Sequence, residues 1–225
     1  MTKIKTKLNS EIVKEYGLNA GASVVGIATS KDFSLAPKCF RPSNVLKECL
    51  SVIVLGIPFP KESLENSIEY TKIRNEIAKK MTNMARMVAK QIKKDGYETK
   101  AISSMGGKYI DGHTFGHISL KHAAELAGLG TITRNYLLTN HQYGNLLWFS
   151  AVLTDADLIP DEKTKYEICN NCNKCIEACP SGSLDDLSSF GKKGCSKYYK
   201  IVNRKLEIQC FLCRTVCPHC FGIKD

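Results

Sequence analysis

The cysteines constrain this chain more than any other feature of its sequence. Nine of its 11 cysteines lie between Cys169 and Cys220, in a chain of 225 residues. A chain of this length buries enough apolar surface to fold without disulfides, so cysteines at this density indicate metal ligands. They fall into two dense groups, and the spacing within each group indicates what it binds.

The first group has the spacing C-x2-C-x2-C-x3-C-P and ends at Pro180. In proteins with two [4Fe–4S] clusters, the first three cysteines of such a run ligate one cluster and the fourth ligates the other. C-x2-C pairs also bind zinc, which is the alternative for this group. The run consists of Cys169, Cys172, Cys175 and Cys179.

The second group, C-x2-C-x3-C-P, is one cysteine short of a full run. Cys195 is the predicted source of the missing ligand, and Cys220 is an alternative that spacing alone does not exclude. Each run then gives one ligand to the other cluster. The first cluster is predicted on Cys169, Cys172, Cys175 and Cys217, and the second on Cys179, Cys195, Cys210 and Cys213.

The formal net charge is +10, from 32 Lys and Arg against 22 Asp and Glu. Two [4Fe–4S] sites, each with four thiolates, carry a charge of 2− apiece, which leaves about +6 for the loaded protein. Residues 1–160 account for +7 of the formal charge, with 21 basic and 14 acidic residues. No run of Lys and Arg reaches five residues, so the sequence has no basic arm of the kind that binds nucleic acid.

The longest apolar segment, Ser51–Phe59, is far shorter than the roughly 18–20 residues that a membrane helix needs. The first ten residues alternate Lys with polar residues and lack the apolar stretch of a secretory signal. The sequence therefore predicts a cytoplasmic protein with no membrane contact.

Hydrophobic periodicity in residues 1–160 alternates between helical and strand patterns. Helices are predicted at Asn9–Leu18, Ile68–Lys94 and Ser119–Ala127, and strands at Ser23–Ala28, Ser51–Ile57, Glu98–Ser103 and Asn145–Thr154. The pattern predicts an α+β domain over residues 1–160 and a cysteine-rich domain over residues 161–225.

Four of the five histidines fall within 29 positions, beside the glycine-rich segment Ser104–His117. His117 and His122 are five residues apart and do not share one helical face, so the pattern disfavours a mononuclear metal site. A proton donor in a pocket is one interpretation, and solvated loop histidines are the commoner outcome. Asp111 to Gly116 also fits the D-x-H-x-x-G signature of cobalamin-binding modules, but the later elements of that signature are absent, so we interpret the match as chance.

Two segments of the first 160 residues match a known family. Leu120–Asn135, which contains Ala127-Gly-Leu-Gly130, resembles the AGLG-x-x-G-[KR]-N segment of the epoxyqueuosine reductase and reductive dehalogenase superfamily. Ala151–Asp155 resembles the strand that follows it in that superfamily, and the cysteine order is also similar. Thr133 departs from the pattern, because the family usually has Gly there.

The resemblance implies a nitroreductase-like core that holds a base-off cobalamin, followed by a small ferredoxin-like domain with two [4Fe–4S] clusters. An external low-potential donor would supply electrons, and the reduced cobalt would remove an epoxide oxygen or a halide from the substrate. The alternatives are an electron-transfer protein without cobalamin and a flavin-dependent reductase. The resemblance implies cobalamin contacts at Gly128, Gly130, Arg134 and Asn135.

Where the family carries its proton-donating Asp, this chain has Thr114, and the nearby substitutes are Asp111, His113 and His117. The sequence ends eight residues after Cys217, whereas epoxyqueuosine reductases continue into a helical-repeat region that binds tRNA. It also has no twin-arginine leader, which disfavours a respiratory dehalogenase. We therefore expect a small or medium electrophilic substrate and regard tRNA as a doubtful one.

Overall fold

The computed structural model describes residues 7–110, 113–164, 167–170, 172–185, 195, 197–202 and 205–223. Its helices are α1 (Ser10–Asn19), α2 (Ser67–Lys94), α3 (Leu120–Leu126), α4 (Lys174–Glu177) and α5 (Leu212–Thr215). Its strands are β1 (Val24–Thr29), β2 (Ser51–Pro58), β3 (Thr99–Ile102), β4 (Lys108–Ile110), β5 (His113–Phe115), β6 (Thr131–Ile132), β7 (Leu138–Thr139), β8 (Leu147–Thr154), β9 (Tyr199–Val202) and β10 (Lys205–Ile208).

The predicted mixture of helices and strands is confirmed. All three predicted helices and all four predicted strands are present, with ends within two residues of the predicted ones. The short helices α4 and α5 and the paired strands β4–β5, β6–β7 and β9–β10 were not predicted. No helix within the described ranges combines the length and the apolar character that crossing a membrane requires.

The chain divides into two compact units that alternate along the sequence. The first unit comprises Met1–Ile57, Ala78–Gly130 and Trp148–Lys165, and the second comprises Pro58–Ile77, Thr131–Leu147 and Tyr166–Asp225. One change of unit, between residues 165 and 166, lies close to the predicted boundary at residue 160. The second unit also contains residues 58–77 and 131–147, which the sequence pattern placed in the first domain. The division into an α+β domain at 1–160 and a cysteine-rich domain at 161–225 stays a prediction.

The first unit is built on a four-stranded sheet with the strand order β1-β2-β8-β3. Strand β1 pairs antiparallel with β2, and β3 pairs antiparallel with β8. The central strands are mostly apolar, as expected for strands covered on both faces. Val52, Ile53, Val54 and Leu55 of β2 are fully buried, and so is most of β8.

Helix α2 contributes an apolar stripe to this core. Met81, Met84, Val88 and Ile92 recur at steps of three or four and are buried, which places one face of the helix inside the unit. The Ser150 hydroxyl of β8 donates a hydrogen bond to the carbonyl of Met81 at 3.0 Å. The methionine side chains of this stripe therefore pack the core and are not free to line a pocket.

In the second unit, α4 and α5 pack against each other, and β9 and β10 form an antiparallel hairpin. Two glycines let the C-terminal segment approach the loop that follows β7. A Cβ at Gly144 would lie 2.2 Å from the carbonyl oxygen of His219, and one at Gly222 would lie 2.7 Å from that of Gln142. Both glycines have positive φ, so both their conformation and their surroundings require glycine.

Gly26 lets the segment after α3 pack directly on strand β1. A Cβ at Gly26 would lie 2.3 Å from the carbonyl oxygen of Ala127. Gly17 of α1 is also closely surrounded, but its nearest neighbours are methyl groups of Val25 and Leu55, at 2.6 and 2.8 Å. Side-chain ends can move, whereas the backbone at Ala127 follows a helix end and is held in place.

We predict that Gly26→Ala lowers the free energy of unfolding by about 1–3 kcal/mol, as for other overpacked cores. Gly17→Ala is the matched control. It makes the same chemical change against movable neighbours, and the better helix propensity of Ala offsets part of its cost. Urea denaturation of both variants measures the difference, and an equal or larger loss for Gly17→Ala would contradict the packing argument.

Candidate metal centre

One cavity in the second unit brings together four cysteine side chains. It has a volume of about 360 Å3, including space open to solvent. Cys175 comes from α4, and Cys217 follows α5, so two short helices and the loop before α4 contribute to its wall. The four cysteines that line it are those predicted for the first cluster, Cys169, Cys172, Cys175 and Cys217.

These thiols also influence one another electrostatically. Burial raises the pKa of the Cys175 thiol, and the neighbouring Cys169, Cys217 and Cys172 raise it further. Burial likewise raises the pKa of Cys217, with Cys169 and Cys172 adding to the effect. Four thiolates at this spacing repel one another, so they need a bound cation or cationic cluster to be negative together.

Four cysteine thiolates are a donor set that both zinc and a [4Fe–4S] cluster use. A tetrahedral zinc with Zn–S bonds of about 2.3 Å holds its sulfurs about 3.8 Å apart. Within the described ranges, no three His, Cys, Asp or Glu side chains are arranged to hold a single metal ion. In a [4Fe–4S] site each thiolate binds a different iron, so the ligands line a larger cavity than zinc would need.

A second group of thiols surrounds Cys213. Burial raises the pKa of Cys213 to about 11, the positive charge of Arg214 opposes that rise, and Cys195 and Cys210 reinforce it. Cys195 and Cys213 also both act on the pKa of Tyr199, which burial raises. Three of the four cysteines predicted for the second cluster are therefore close enough to interact.

Cys179, the fourth of these, lies one residue beyond the C-cap of α4. Burial raises its pKa, but hydrogen bonds from Ser181, Ser183 and Leu184 outweigh burial and lower the pKa below its usual value. The hydroxyl of Ser181 lies 3.4 Å from the sulfur of Cys179. Hydrogen bonds of this kind stabilise the thiolate, which is the form that binds metal.

Cys220, the alternative to Cys195, has a different environment. Its side chain is 2% exposed, and its amide donates to the carbonyl of Cys217 at 3.0 Å. Burial raises its pKa to about 11, with Arg214 lowering it and Cys217 raising it. Cys220 thus lies close to Cys217, which is predicted for the first cluster, and Cys195 lies close to Cys213, which is predicted for the second. Which of the two thiols binds the second cluster stays a prediction.

Hydrogen bonds to the main chain hold α5 in place. The side-chain amide of Asn135 donates to the carbonyl of Cys213 at 2.9 Å, and that of Asn145 donates to the carbonyl of Arg214 at 3.2 Å. The guanidinium of Arg214 donates in turn to the carbonyl of Asn145. All three side chains are buried, at 4, 1 and 5% exposure. Asn145 and Arg214 were not among the predicted site residues.

Arg214 is a buried cation on an aromatic surface. Its Nε donates to the hydroxyl of Tyr70 at 3.3 Å, and its guanidinium lies 5.4 Å from the centre of the Phe59 ring. Tyr70 stacks between Phe59 and Phe211, with ring centres 5.5 and 4.6 Å away. In the part of the chain that the structure describes, Arg214 forms no ion pair with Asp or Glu, so the thiols next to it are the groups that feel its charge.

Three of the four residues predicted as proton donors are within the described part of the chain. Asp111 lies outside the described residues. His113 and Thr114 are on β5, whose backbone pairs antiparallel with β4, and nothing more is described of them. The side chain of His117 is exposed. The assignment of a proton donor among these four residues stays a prediction.

Residues predicted to contact cobalamin make close contacts with other residues of the chain. Gly128 has a φ of +71°, and a Cβ there would lie 2.3 Å from the carbonyl oxygen of Glu162. Gly130 also has positive φ, Arg134 donates to the side chain of Asn173, and Asn135 is held by α5 as described above. These contacts within the chain account for the position of each residue. Cobalamin binding stays a prediction.

Comparison with known proteins supports the resemblance. No protein-family model matches the chain. The epoxyqueuosine reductase of Listeria monocytogenes is 30% identical over 116 residues, which are 46% of this chain and 30% of that enzyme. The epoxyqueuosine reductase of Prochlorococcus marinus is 26% identical over 217 residues, which are 86% of this chain and 64% of that enzyme. The chain therefore spans less than two thirds of either relative.

Solved structures show the same fold. An epoxyqueuosine reductase crystallised with an epoxyqueuosine-modified tRNA-Tyr stem loop has a TM-score of 0.64 at 18% identity, over 93% of this chain and 64% of that enzyme. A catabolic reductive dehalogenase in complex with 3-bromo-4-hydroxybenzoic acid has a TM-score of 0.61 at 22% identity, over 88% of this chain and 27% of the dehalogenase. The sequence relatives thus confirm the resemblance to epoxyqueuosine reductases, and the solved structures show that a reductive dehalogenase shares the fold.

These comparisons correct one expectation. The view of tRNA as a doubtful partner is wrong, because the relatives are epoxyqueuosine reductases and one of them was crystallised with a tRNA stem loop. The expectation rested on where the sequence ends. That position says nothing about which surfaces of the matched part, 64% of the tRNA-bound enzyme, contact RNA.

We predict that Cys172→Ala and Cys213→Ala each lose about half of the iron and sulfide of the reconstituted protein, because each removes one ligand of a different cluster. Cys220→Ala is the matched control, since it deletes a buried thiol outside both predicted sets. Iron and acid-labile sulfide analysis after anaerobic reconstitution measures the outcome. Full iron in Cys213→Ala, or loss of a cluster in Cys220→Ala, would show that the ligand sets are wrong.

Proposed function

We propose that the chain is an iron–sulfur reductase of the epoxyqueuosine reductase type, which removes the epoxide oxygen of an epoxyqueuosine nucleotide in tRNA. The observation that carries this proposal is the cavity lined by Cys169, Cys172, Cys175 and Cys217. Its four-cysteine donor set fits a [4Fe–4S] cluster, and the neighbouring thiols around Cys213 would supply ligands for a second one. The named relatives supply the reaction and the substrate.

The two predicted ligand sets share both short helices of the second unit. Cys175 and Cys179 are four residues apart across α4, and Cys213 and Cys217 are four residues apart across α5. Each helix, together with the residues directly after it, would therefore carry one ligand of each cluster, which would keep the two clusters close together. A ferredoxin-like domain with this property suits the transfer of single electrons.

Removal of the epoxide oxygen consumes two electrons and two protons and releases water. We propose a base-off cobalamin as the group that joins the clusters to the substrate, because the superfamily includes a B12-dependent dehalogenase. When bound, it would supply a cobalt centre that accepts electrons singly and delivers them as a pair. The proposed cobalamin contacts are Gly128, Gly130, Arg134 and Asn135, in a nitroreductase-like core. The proposed proton donors are Asp111, His113, Thr114 and His117.

The testing experiment begins with anaerobic reconstitution of the clusters, addition of cobalamin and desalting. Cobalt, iron and flavin are then measured, and the loaded protein is incubated with dithionite and an epoxyqueuosine-modified tRNA-Tyr stem loop. We expect retained cobalt and conversion of epoxyqueuosine to queuosine, detected by mass spectrometry of the nucleosides. Retained clusters without cobalt would indicate an electron-transfer protein, and a bound yellow chromophore would indicate a flavin enzyme.

The buried charge of Arg214 gives a second prediction. A positive charge beside a cluster stabilises its reduced, more negative form, so Arg214→Gln is expected to lower the midpoint potential of the second cluster by on the order of 60 mV, a tenfold change for one electron. Arg214→Lys keeps the charge and is the matched control. Redox titration monitored by EPR measures both variants. Equal shifts in the two, or none in Arg214→Gln, would contradict a role for the charge.

A further inference from the structure

The exposed side of α2 in the first unit carries a concentration of positive charge. Between Ala78 and Lys94 the helix has six basic residues and no Asp or Glu. The earlier part of the helix, Ser67–Ile77, is mixed in charge, and its Lys72 forms an ion pair with Glu69 at 3.4 Å. We call the exposed cations of the later part the basic face, and they are Lys79, Lys80, Arg86, Lys90, Lys93 and Lys94.

The basic face is one continuous stripe. At 100° per residue, its members fall within a sector about 140° wide, together with the exposed Asn83 and Met87. From Lys79 to Lys94 the stripe is about 22 Å long. Residues three or four apart on a helix lie about 5–6 Å from each other, so the cations form a row without a gap longer than two turns.

Among the described side chains, little offsets this charge. Within the described residues, none of the six cations forms an ion pair with Asp or Glu, and Arg86 contacts the neutral amide of Asn83 at 3.4 Å. Arg86, Lys90 and Lys94 follow one another at steps of four, where like charges destabilise an isolated helix by about 0.2–0.5 kcal/mol per pair. Because these like charges repel one another in the free protein, an anionic partner that binds them would offset the repulsion.

The buried side of the helix indicates which kind of anionic partner the basic face can bind. A helix that lies in a lipid surface inserts its apolar face. Here the apolar face of α2, with Met81, Val88 and Ile92, is buried in the core of the unit. Met87, 57% exposed, is the one apolar side chain on the basic face itself. The helix thus presents cations without an insertable face, which is what binding to nucleic-acid phosphates requires.

We propose that the basic face of α2 binds the phosphate backbone of the RNA substrate. This inference rests on the proposed function, which makes tRNA the substrate, and adds the surface that holds it. Contacts to phosphates position RNA without reading its sequence, so the basic face would bind modified and unmodified stem loops equally. Recognition of the epoxyqueuosine base would belong to other residues.

The test compares two triple variants that lose the same charge. Lys80→Gln, Lys90→Gln and Lys94→Gln together remove half of the basic face. Lys31→Gln, Lys38→Gln and Lys47→Gln remove three exposed lysines from the segment between β1 and β2 of the same unit. Gln has a helix propensity close to that of Lys, so α2 is expected to remain intact, and circular dichroism checks this.

Binding of the reconstituted protein to an unmodified tRNA-Tyr stem loop is measured by fluorescence anisotropy between 50 and 200 mM KCl. Each lost phosphate contact reduces the slope of log K against log salt by about 0.7 for single-stranded regions. We expect the slope of the basic-face variant to fall by about 2 and its affinity at 50 mM KCl to drop at least tenfold. The control variant is expected to keep the slope of the unchanged protein.

Three outcomes would overturn the inference: equal losses in both variants, no RNA binding by the unchanged protein, or binding to vesicles containing phosphatidylserine that the basic-face substitutions abolish while RNA binding persists. Measurement of epoxide reduction on the modified stem loop separates this inference from the proposed function. If the protein reduces the epoxide and the basic-face substitutions leave the salt slope unchanged, the role of the basic face is refuted and the proposed function stands. If the basic-face substitutions weaken RNA binding but the protein does not reduce the epoxide, the role of the basic face is supported and the proposed reaction is refuted.

Discussion

Hydrogen bonds between two buried asparagines and the main chain of α5 fix the cysteine-bearing part of the second unit. Asn135 and Asn145 donate to the carbonyls of Cys213 and Arg214, which lie 78 and 69 residues later in the sequence. Because these bonds run to the backbone, they set the position of α5 whatever its cysteine side chains bind. A cluster that bound at Cys213 would therefore meet a ligand whose backbone is already held in place, and ligand positions that are set in advance reduce the entropy cost of binding.

The same asparagines help to explain why a cation is buried next to thiols. Arg214 returns a hydrogen bond to the carbonyl of Asn145, and its charge lowers the pKa of both Cys213 and Cys220 against the effect of burial. A buried guanidinium is costly unless its donors are satisfied and a negative charge lies nearby. The peptide carbonyl and the Tyr70 hydroxyl satisfy donors, and cysteine thiolates in a loaded site would supply the negative charge. Folding and cluster binding are therefore expected to support each other in this unit.

Local sequence patterns predicted the local features of the molecule. The 3.6-residue repeat located α2 to within one residue, and the apolar run from Ser51 located the buried strand β2. The spacing of Cys169, Cys172 and Cys175 anticipated three thiols around one cavity, and the pairing of the two runs anticipated Cys217 as the fourth. These patterns work because helix pitch, strand alternation and short ligand loops are set by neighbouring residues.

Features that depend on distant residues were not predictable in this way. Nothing near Asn145 or Arg214 in the sequence signals that their side chains meet, and the resemblance assigned Asn135 to a cofactor without indicating its bond to Cys213. Gly128 needs glycine because Glu162 approaches it, a contact that is formed only when the chain folds. The interleaving of the two units has the same origin, since residues 131–147 join the cysteines through contacts that span the chain.

Helix α2 shows how folding changes the meaning of a charge pattern. Read along the chain, its basic residues occur singly or in pairs and never form the run of five that marks a basic arm. Once Met81, Met84, Val88 and Ile92 are buried, the helix has only one side left for solvent, and all six cations lie on it. The apolar repeat that stabilises the core therefore also places the six cations of this part of α2 on a single surface. A search for basic surfaces in such proteins therefore has to count the cations on each face of a helix. A search for runs of consecutive Lys and Arg residues does not detect a surface of this kind.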